Sequence, residues 1–343
     1  MWCFKRLWHC KIVFMRIAIV KLSALGDIVH TMFVLQFIKK HYPLSRVDWI
    51  VDKKFKGILE HNPHINEIKS INLQKAKRDR SLLVLIRELS KVRSFGSYDI
   101  VIDFQGLIKT AIVSKLLKSK KVIGFDWSSI REGMASLVYN QKVNIGYDQN
   151  TILRYKKLLC ESLNIKITVE EILNKEHYLF SKSLLSLPKK SYLVFVIGST
   201  WESRNYPKEK FVKVANLLKK DCLVVWGNER ERKKAEWMQN KSSYITVMPQ
   251  LSLDDLKYVI GNAILLIGND TGPSHMSWAL NVPSVLLFGP TPVERLFQTN
   301  INKALKSNSR INHLKLNKKD FSIKEISVDE IVKIALQLLR GKS

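Results

Sequence analysis

The stretch RIAIVKLSALGDIVHT, residues 16–31, places one carboxylate, Asp27, beside a glycine just past a near-continuous apolar run. A helical pattern follows at once. Ligands of open α/β sheets bind at the carboxyl ends of strands. An acid there is either a helix N-terminal charge, worth about 0.3–1 kcal/mol, or a working base. A carboxylate, ionised at neutral pH, can take the proton of an attacking hydroxyl.

Three later stretches repeat this geometry with other chemistry. In LLIGNDTGPSHMSWAL (265–280) an apolar strand pattern ends at Gly268, a polar turn follows, and a helix is expected near Pro273. Backbone N–H groups at a helix start, with the Thr271 hydroxyl, form an anion site. His275 falls in the first turn, where it can face the same anion, while Asp270 orders the turn or takes a ligand hydroxyl. The plain alternative is an ordinary capped strand–turn–helix. VIGSTWESRNYP (196–207) offers the Ser199 and Thr200 hydroxyls and the Arg204 fork, whose geometry matches phosphate oxygens. VVWGNERERKK (224–234) adds Glu229 and Glu231, suited to a ribose diol. Together these loops describe a nucleotide-diphosphate pocket that no single one of them would establish.

The elements that must position these loops follow from periodicity. Apolar runs alternate with amphipathic stretches along the whole chain, and runs that are continuous, not alternating, belong to parallel strands covered on both faces. Two successive βα series in 343 residues imply an α/β protein of two doubly wound domains. The polar stretch LFSKSLLSLPKKS (179–191) is the expected linker, and SVDEIVKIALQLLRG the expected closing helix. No GxGxxG follows a strand and no GxxxxGK[ST] occurs, which weakens a dehydrogenase or a P-loop NTPase.

Composition narrows the partners. A formal net charge of +27 favours polyanions, against the blander reading of a solvated, lysine-rich surface. The cluster QKAKRDR, with Lys75, Lys77, Arg78 and Arg80, concentrates that charge before a helix. It lacks the interleaved aromatics of single-strand binders, and no DNA-reading module is present. A phosphate-bearing substrate or an anionic membrane surface is expected, and no nucleic acid. The four cysteines, Cys3, Cys10, Cys160 and Cys222, show no CxxC spacing and are expected to be unpaired, with Cys222 in a core strand. The N-terminus has neither the apolar core nor the cleavage site of a signal peptide, so a cytoplasmic location is expected.

Taken in order, MRIAIVKLSALGDIVHT, VIDFQGLIKTA, GFDWSSIREGMASLVYN, GSTWESRNYP and GNDTGPSHMSWAL resemble the lipopolysaccharide heptosyltransferases of glycosyltransferase family 9, from Met15 to the last helix. The DW…REGMASLVYN block is closer to members that add the first heptose than to those that add the second. The resemblance implies a GT-B fold. An acceptor-binding Rossmann-like domain over 15–180 and a nucleotide-sugar-binding one over 190–325 would then face a cleft. A closing helix over 326–343 would pack back towards the first domain. It also implies inverting, metal-independent transfer of heptose from ADP-L-glycero-β-D-manno-heptose to the Kdo of lipid A, with no cofactor, at the cytoplasmic face of the inner membrane.

Carried over by motif, the catalytic aspartate is Asp27. The donor-binding positions are Ser199, Thr200, Arg204, Glu231, Leu251, Asp270, Thr271, Gly272 and His275. Acceptor contacts fall to Lys21, Gln105, Arg131 and the cluster Lys75, Lys77, Arg78 and Arg80, since phosphates and a carboxylate on the acceptor suit cations. With no DxD-like acidic pair, leaving-group charge would be met by helix N-termini, Arg204 and hydroxyls. The chain departs from the family in having Arg204 where lysine is common, and Ile197 and Ser199-Thr200 where His and Thr-Thr often stand. The fourteen residues before Met15 match nothing in the family. Translation starting at Met15, or a membrane-dipping segment through Trp2, Phe4, Leu7 and Trp8, are the two readings of them. Three rivals remain: a family 9 enzyme with another sugar or a later heptose, a nucleotide-sugar epimerase of like architecture, and a non-catalytic basic protein binding anionic lipid or RNA.

Overall fold

The computed structural model describes residues 14–313 and 315–341. Both readings of the N-terminal extension, and Cys3 and Cys10, fall outside the described residues. The first domain carries strands β1 (Arg16–Val20), β2 (Arg46–Asp52), β3 (Glu67–Ile71), β4 (Ser97–Asp103), β5 (Lys118–Phe125) and β6 (Gln141–Val143). Its helices are α1 (Leu25–Met32), α2 (Val34–His41), α3 (Lys56–Leu59), α4 (Leu73–Arg78), α5 (Leu82–Arg93), α6 (Ile108–Leu116), α7 (Thr151–Leu163) and α8 (Val169–Leu173). The second domain has β7 (Leu193–Val196), β8 (Cys222–Val225), β9 (Ile245–Val247), β10 (Leu265–Asn269), β11 (Ser284–Phe288) and β12 (Asn302–Lys306). With them run α9 (Lys208–Leu218), α10 (Glu229–Gln239), α11 (Leu253–Gly261), α12 (Gly272–Ala279) and α13 (Val328–Arg340).

Both sheets are wholly parallel and share one topology. The first runs β3-β2-β1-β4-β5-β6, and the second runs β12-β11-β10-β7-β8-β9, the same order read from the other edge. The central strands are apolar throughout: Ile17–Val20 of β1 and Leu193–Val196 of β7 are fully buried, as strands covered on both faces require. Strand order reverses between β1 and β4 and again between β7 and β10. Those are the points where loops part and leave a crevice at the strands' carboxyl ends. Cys222 is buried in β8 and Cys160 half-buried, and both are free thiols. The span from 175 to 191 contains no helix or strand.

One expectation is corrected. The closing helix does not cross to the first domain. Ile331, Ala335 and Leu338, spaced to share one face of α13, are buried in the apolar cluster of Leu193, Phe195 and Phe211, and α13 packs on α9, β10 and β11 of its own domain. Its apolar stripe finds a partner nearer in sequence. What joins the domains is α1 against α12, with α3 against α11. Gly26 and Gly272 allow that approach: a Cβ on Gly272 would lie 2.8 Å from the Leu25 Cβ, and one on Gly26 3.1 Å from the His275 ring.

Candidate active site

Two loops of the first domain meet at its switch point. Gln105, past β4, accepts from the backbone N–H of Leu22 (2.8 Å) and Ser23 (3.2 Å) through Oε1, fixing the turn before α1. Gln105 is itself held by Asp103, which accepts its N–H at 2.8 Å and the Tyr139 hydroxyl at 2.8 Å. Gly106 sits at φ +66°, and a Cβ there would strike Ile130 at 2.5 Å, so the turn needs glycine. Asp27 follows on the first turn of α1, its carboxylate accepting only a long bond from the Ala24 N–H at 3.3 Å. Below it Lys21 is buried, donating to the Phe104 carbonyl (2.9 Å) and the Tyr155 hydroxyl (2.7 Å). Burial disfavours its ammonium, but Tyr155 and Asp27 outweigh that and leave its pKa above the ordinary value.

The second domain gathers charge at its own switch point. Asp270, 1% exposed, receives His275 Nε2 at 2.8 Å on one oxygen, with Arg204 Nη1 at 3.4 Å and Arg295 Nη1 at 3.7 Å on the other. Burial alone would raise the Asp270 carboxyl; Arg295, His275 and Arg204 hold it well below the usual carboxylate range. Arg204 Nε also donates to Ser199 Oγ at 2.9 Å, and its guanidinium lies 4.9 Å from the Trp201 ring. Thr271 is the N-cap of α12, yet its side chain makes no capping bond. Pro273 supplies no N–H near the helix start, so the Gly272 N–H is the foremost donor there. Glu231 packs over Gly198, where a Cβ would lie 2.0 Å from its carboxyl carbon, and accepts from the Gly227 N–H at 2.7 Å.

Where the two domains touch, His30 of α1 meets His275 edge to face, ring centroids 4.4 Å apart. Burial first, then the neighbouring His275 and Arg295, push His30 well below its ordinary pKa of 6.5. Its Nε2 and the Nδ1 of His275 are buried without hydrogen-bond partners.

Two cavities lie where residues of both domains meet. One, of about 690 Å³, is lined by all nine expected donor residues: Ser199, Thr200, Arg204, Glu231, Leu251, Asp270, Thr271, Gly272 and His275. The other, of about 560 Å³, is lined by Lys21, Gln105 and Arg131 of the expected acceptor set. Asp27 and Arg295 line both. Lys75, Arg78 and Arg80 line neither cavity: Lys75 and Arg78 line a depression with Lys53 and with Lys54, which also lines the larger cavity, and Arg80 is exposed beyond α4. Lys77 lies within α4.

Sequence reasoning missed Arg295 and His30, and on the second cavity Arg154, Trp201 and Lys318. Arg295 had a usable signal. It follows GPTPVE past β11, another cation just beyond the carboxyl end of a buried strand. Arg154 is largely committed to the fold, donating to the Ser129 and Gly146 carbonyls at 2.6 and 2.7 Å.

Comparison with known proteins agrees with this geometry. The family model described as glycosyltransferase family 9 (heptosyltransferase) matches residues 85–327. Lipopolysaccharide heptosyltransferase 1 of Campylobacter coli is 37% identical across 94% of this chain and 99% of its own. Its Escherichia coli K12 counterpart is 28% identical across 81% and 88%. Among solved structures, E. coli heptosyltransferase WaaC with ADP superposes with a TM-score of 0.80 at 23% identity, covering 94% of this chain and all of that one. E. coli ADP-heptose lps heptosyltransferase II does so with 0.70 at 16% identity, covering 96% and 99%. These neighbours share the GT-B arrangement of two facing parallel sheets. With the family model spanning more than half its length, and a relative of that identity along nearly all of it, the chain belongs to glycosyltransferase family 9, the heptosyltransferases.

Proposed function

We propose that this chain transfers L-glycero-D-manno-heptose from ADP-L-glycero-β-D-manno-heptose to the Kdo of lipid A, inverting the anomeric centre and needing no metal. The observation that carries this reading is the position of Asp27, whose side chain borders both cavities and is nearly free of internal hydrogen bonds. A base for direct displacement has to reach the acceptor hydroxyl on one side while the leaving diphosphate departs on the other. The WaaC structures hold ADP and an ADP-heptose analogue, and similarity to them supports the same donor class here.

In this reading the donor occupies the larger cavity. Glu231 takes the ribose hydroxyls, and the diphosphate lies against Thr271, the Gly272 N–H and the Ser199 and Thr200 hydroxyls. Arg204 and Arg295 supply positive charge as the sugar–oxygen bond breaks, a role in which preorganised donors act without rearranging. Asp270 fixes both guanidinium groups and His275, so that it shapes the phosphate site without touching phosphate. The acceptor enters the smaller cavity, where Arg131, Lys318 and Arg295 suit its carboxylate and phosphates. Asp27 draws the proton as the acceptor oxygen bonds to the anomeric carbon and the ADP leaves.

The test is transfer from ADP-heptose to Kdo-lipid A in EDTA, comparing wild type with Asp27→Asn. The wild type should release ADP only when acceptor is present. The variant should lose about 10²–10⁴-fold in turnover while binding donor as before. Donor binding without turnover by the wild type would mean the acceptor is wrong. Turnover without acceptor would instead indicate an epimerase or hydrolase.

A further inference from the structure

Half of the exposed large apolar side chains among the described residues lie in a single stretch of the first domain, residues 82–137. On α5, Leu82, Leu83 and Ile86 point outward, Leu83 with 80% of its surface exposed. On α6, Ile108 and Ile112 do the same, one helical turn apart. The 3₁₀ turn Gly133–Val138 adds Met134 and Leu137, the latter 69% exposed, and the Trp127 indole lies over Gly133 at 57% exposed. These elements adjoin, since α6 packs against α5 on one side and the 3₁₀ turn on the other. The exposed apolar residues are thus gathered on adjoining elements, where those of ordinary surfaces are scattered singly.

Two further features say what covers it. The same elements are rich in cations: the sequence from 73 to 137 holds 13 Lys and Arg against 6 Asp and Glu. Lys75, Arg78, Arg80, Arg87, Lys109 and Arg131 are all exposed there. The patch also borders the smaller cavity, whose wall includes Leu107 and Arg131, next in the chain to Ile108 and just before Met134. Exposed apolar side chains on cation-rich elements are the signature of a surface that lies in a lipid interface. Among the described residues no helix is long and apolar enough to cross a membrane.

We infer that the face built by α5, α6 and the Gly133–Val138 turn docks on an anionic lipid bilayer, seating the mouth of the smaller cavity at the headgroup level. The basic cluster on α4, which the cavities leave unused, then contacts headgroups rather than the sugar. This rests on the reading above only in that a lipid-anchored acceptor would rise from the same bilayer into that cavity. The surface itself is tested without donor or acceptor.

The experiment is co-sedimentation of the full chain with vesicles of phosphatidylcholine alone or with 30% phosphatidylglycerol. It compares wild type with the triple variant Leu83→Ser, Ile112→Ser, Leu137→Ser. Wild type should bind the anionic vesicles, less so at 0.5 M salt, and the variant should bind about tenfold or more weakly. Unchanged binding of ADP-heptose or ADP by the variant shows that it is folded. Brominated phosphatidylglycerol should quench wild-type fluorescence, and this quenching should shrink in Trp127→Phe. Equal binding by wild type and variant, no quenching loss in Trp127→Phe, or no wild-type binding overturns the inference. So does a dimer in sedimentation that the variant dissolves without any vesicle binding, because the face would then cover a second copy. Failed heptose transfer with intact vesicle binding counts against the proposed reaction alone.

Discussion

At the residue scale, the least expected feature is a neutral imidazole in a field of cations. His30 lies between the helix that carries Asp27 and the ring of His275, buried, with a pKa driven below its ordinary value. The unfolded chain takes up a proton at His30 below about pH 6.5, and the native state does not, so stability must fall as pH drops through that range. From pH 7 to pH 5 the wild type should lose about 2 kcal/mol more unfolding free energy than His30→Gln, as read from urea titrations at each pH. His64, also depressed by burial and by Lys39, is present in both proteins and cancels. Identical slopes for the two would remove the case for a buried neutral His30. Asp270 works in the same direction in a more acid window: held below the ordinary carboxylate range, its contribution is intact at neutral pH and is lost as pH falls below that range.

Elements were legible where burial enforced a pattern. The central strands announced themselves as unbroken apolar runs, and the loops after β1, β7, β8 and β10 carried hydroxyls and charges dense enough to mark a site. The edge strands β6, β9 and β12 were not foreseen, since three residues such as QKV or the lysine-bearing NKALK lack the apolar run of a strand covered on both faces. The basic cluster was read as acceptor-facing charge, and Lys75, Arg78 and Arg80 line neither cavity, because a charge run does not disclose the direction in which its helix presents it. His30 was lost inside an amphipathic pattern that predicts only a core side. The closing helix was placed against the first domain by resemblance, and its own apolar stripe could not correct that, since a stripe states that something is covered, not what. Its true partner gives a clear test. Ile331 is fully buried among second-domain residues, so Ile331→Ala should cost about 2–5 kcal/mol of unfolding free energy. A helix lying loosely across the cleft would lose well under 1 kcal/mol (compare exposed sites).

At the scale of the whole molecule, two like-ordered sheets turn their switch points towards each other. One apolar cluster runs through the contact, joining Ile28 and Phe33 of the first domain to Met276 and Trp278 of the second. The site is therefore a property of the pair, and neither domain holds it alone. Arg295 belongs to the second domain yet borders both cavities, which in the proposed reaction makes the two substrates thermodynamic neighbours. An anion bound on either side spends part of the same positive potential, so each must weaken the other by one shared factor. Calorimetry should give the same ratio for the Kd of ADP with and without acceptor as for the Kd of acceptor with and without ADP. In Arg295→Gln that ratio should approach one. In the proposed reaction the departing diphosphate gains negative charge at the moment of transfer, just when the acceptor's own anion would sit across the same guanidinium. That rivalry would hasten the departure of whichever product lets go first and tighten the grip on the one left behind, so a single shared arginine would make the second release the slower step.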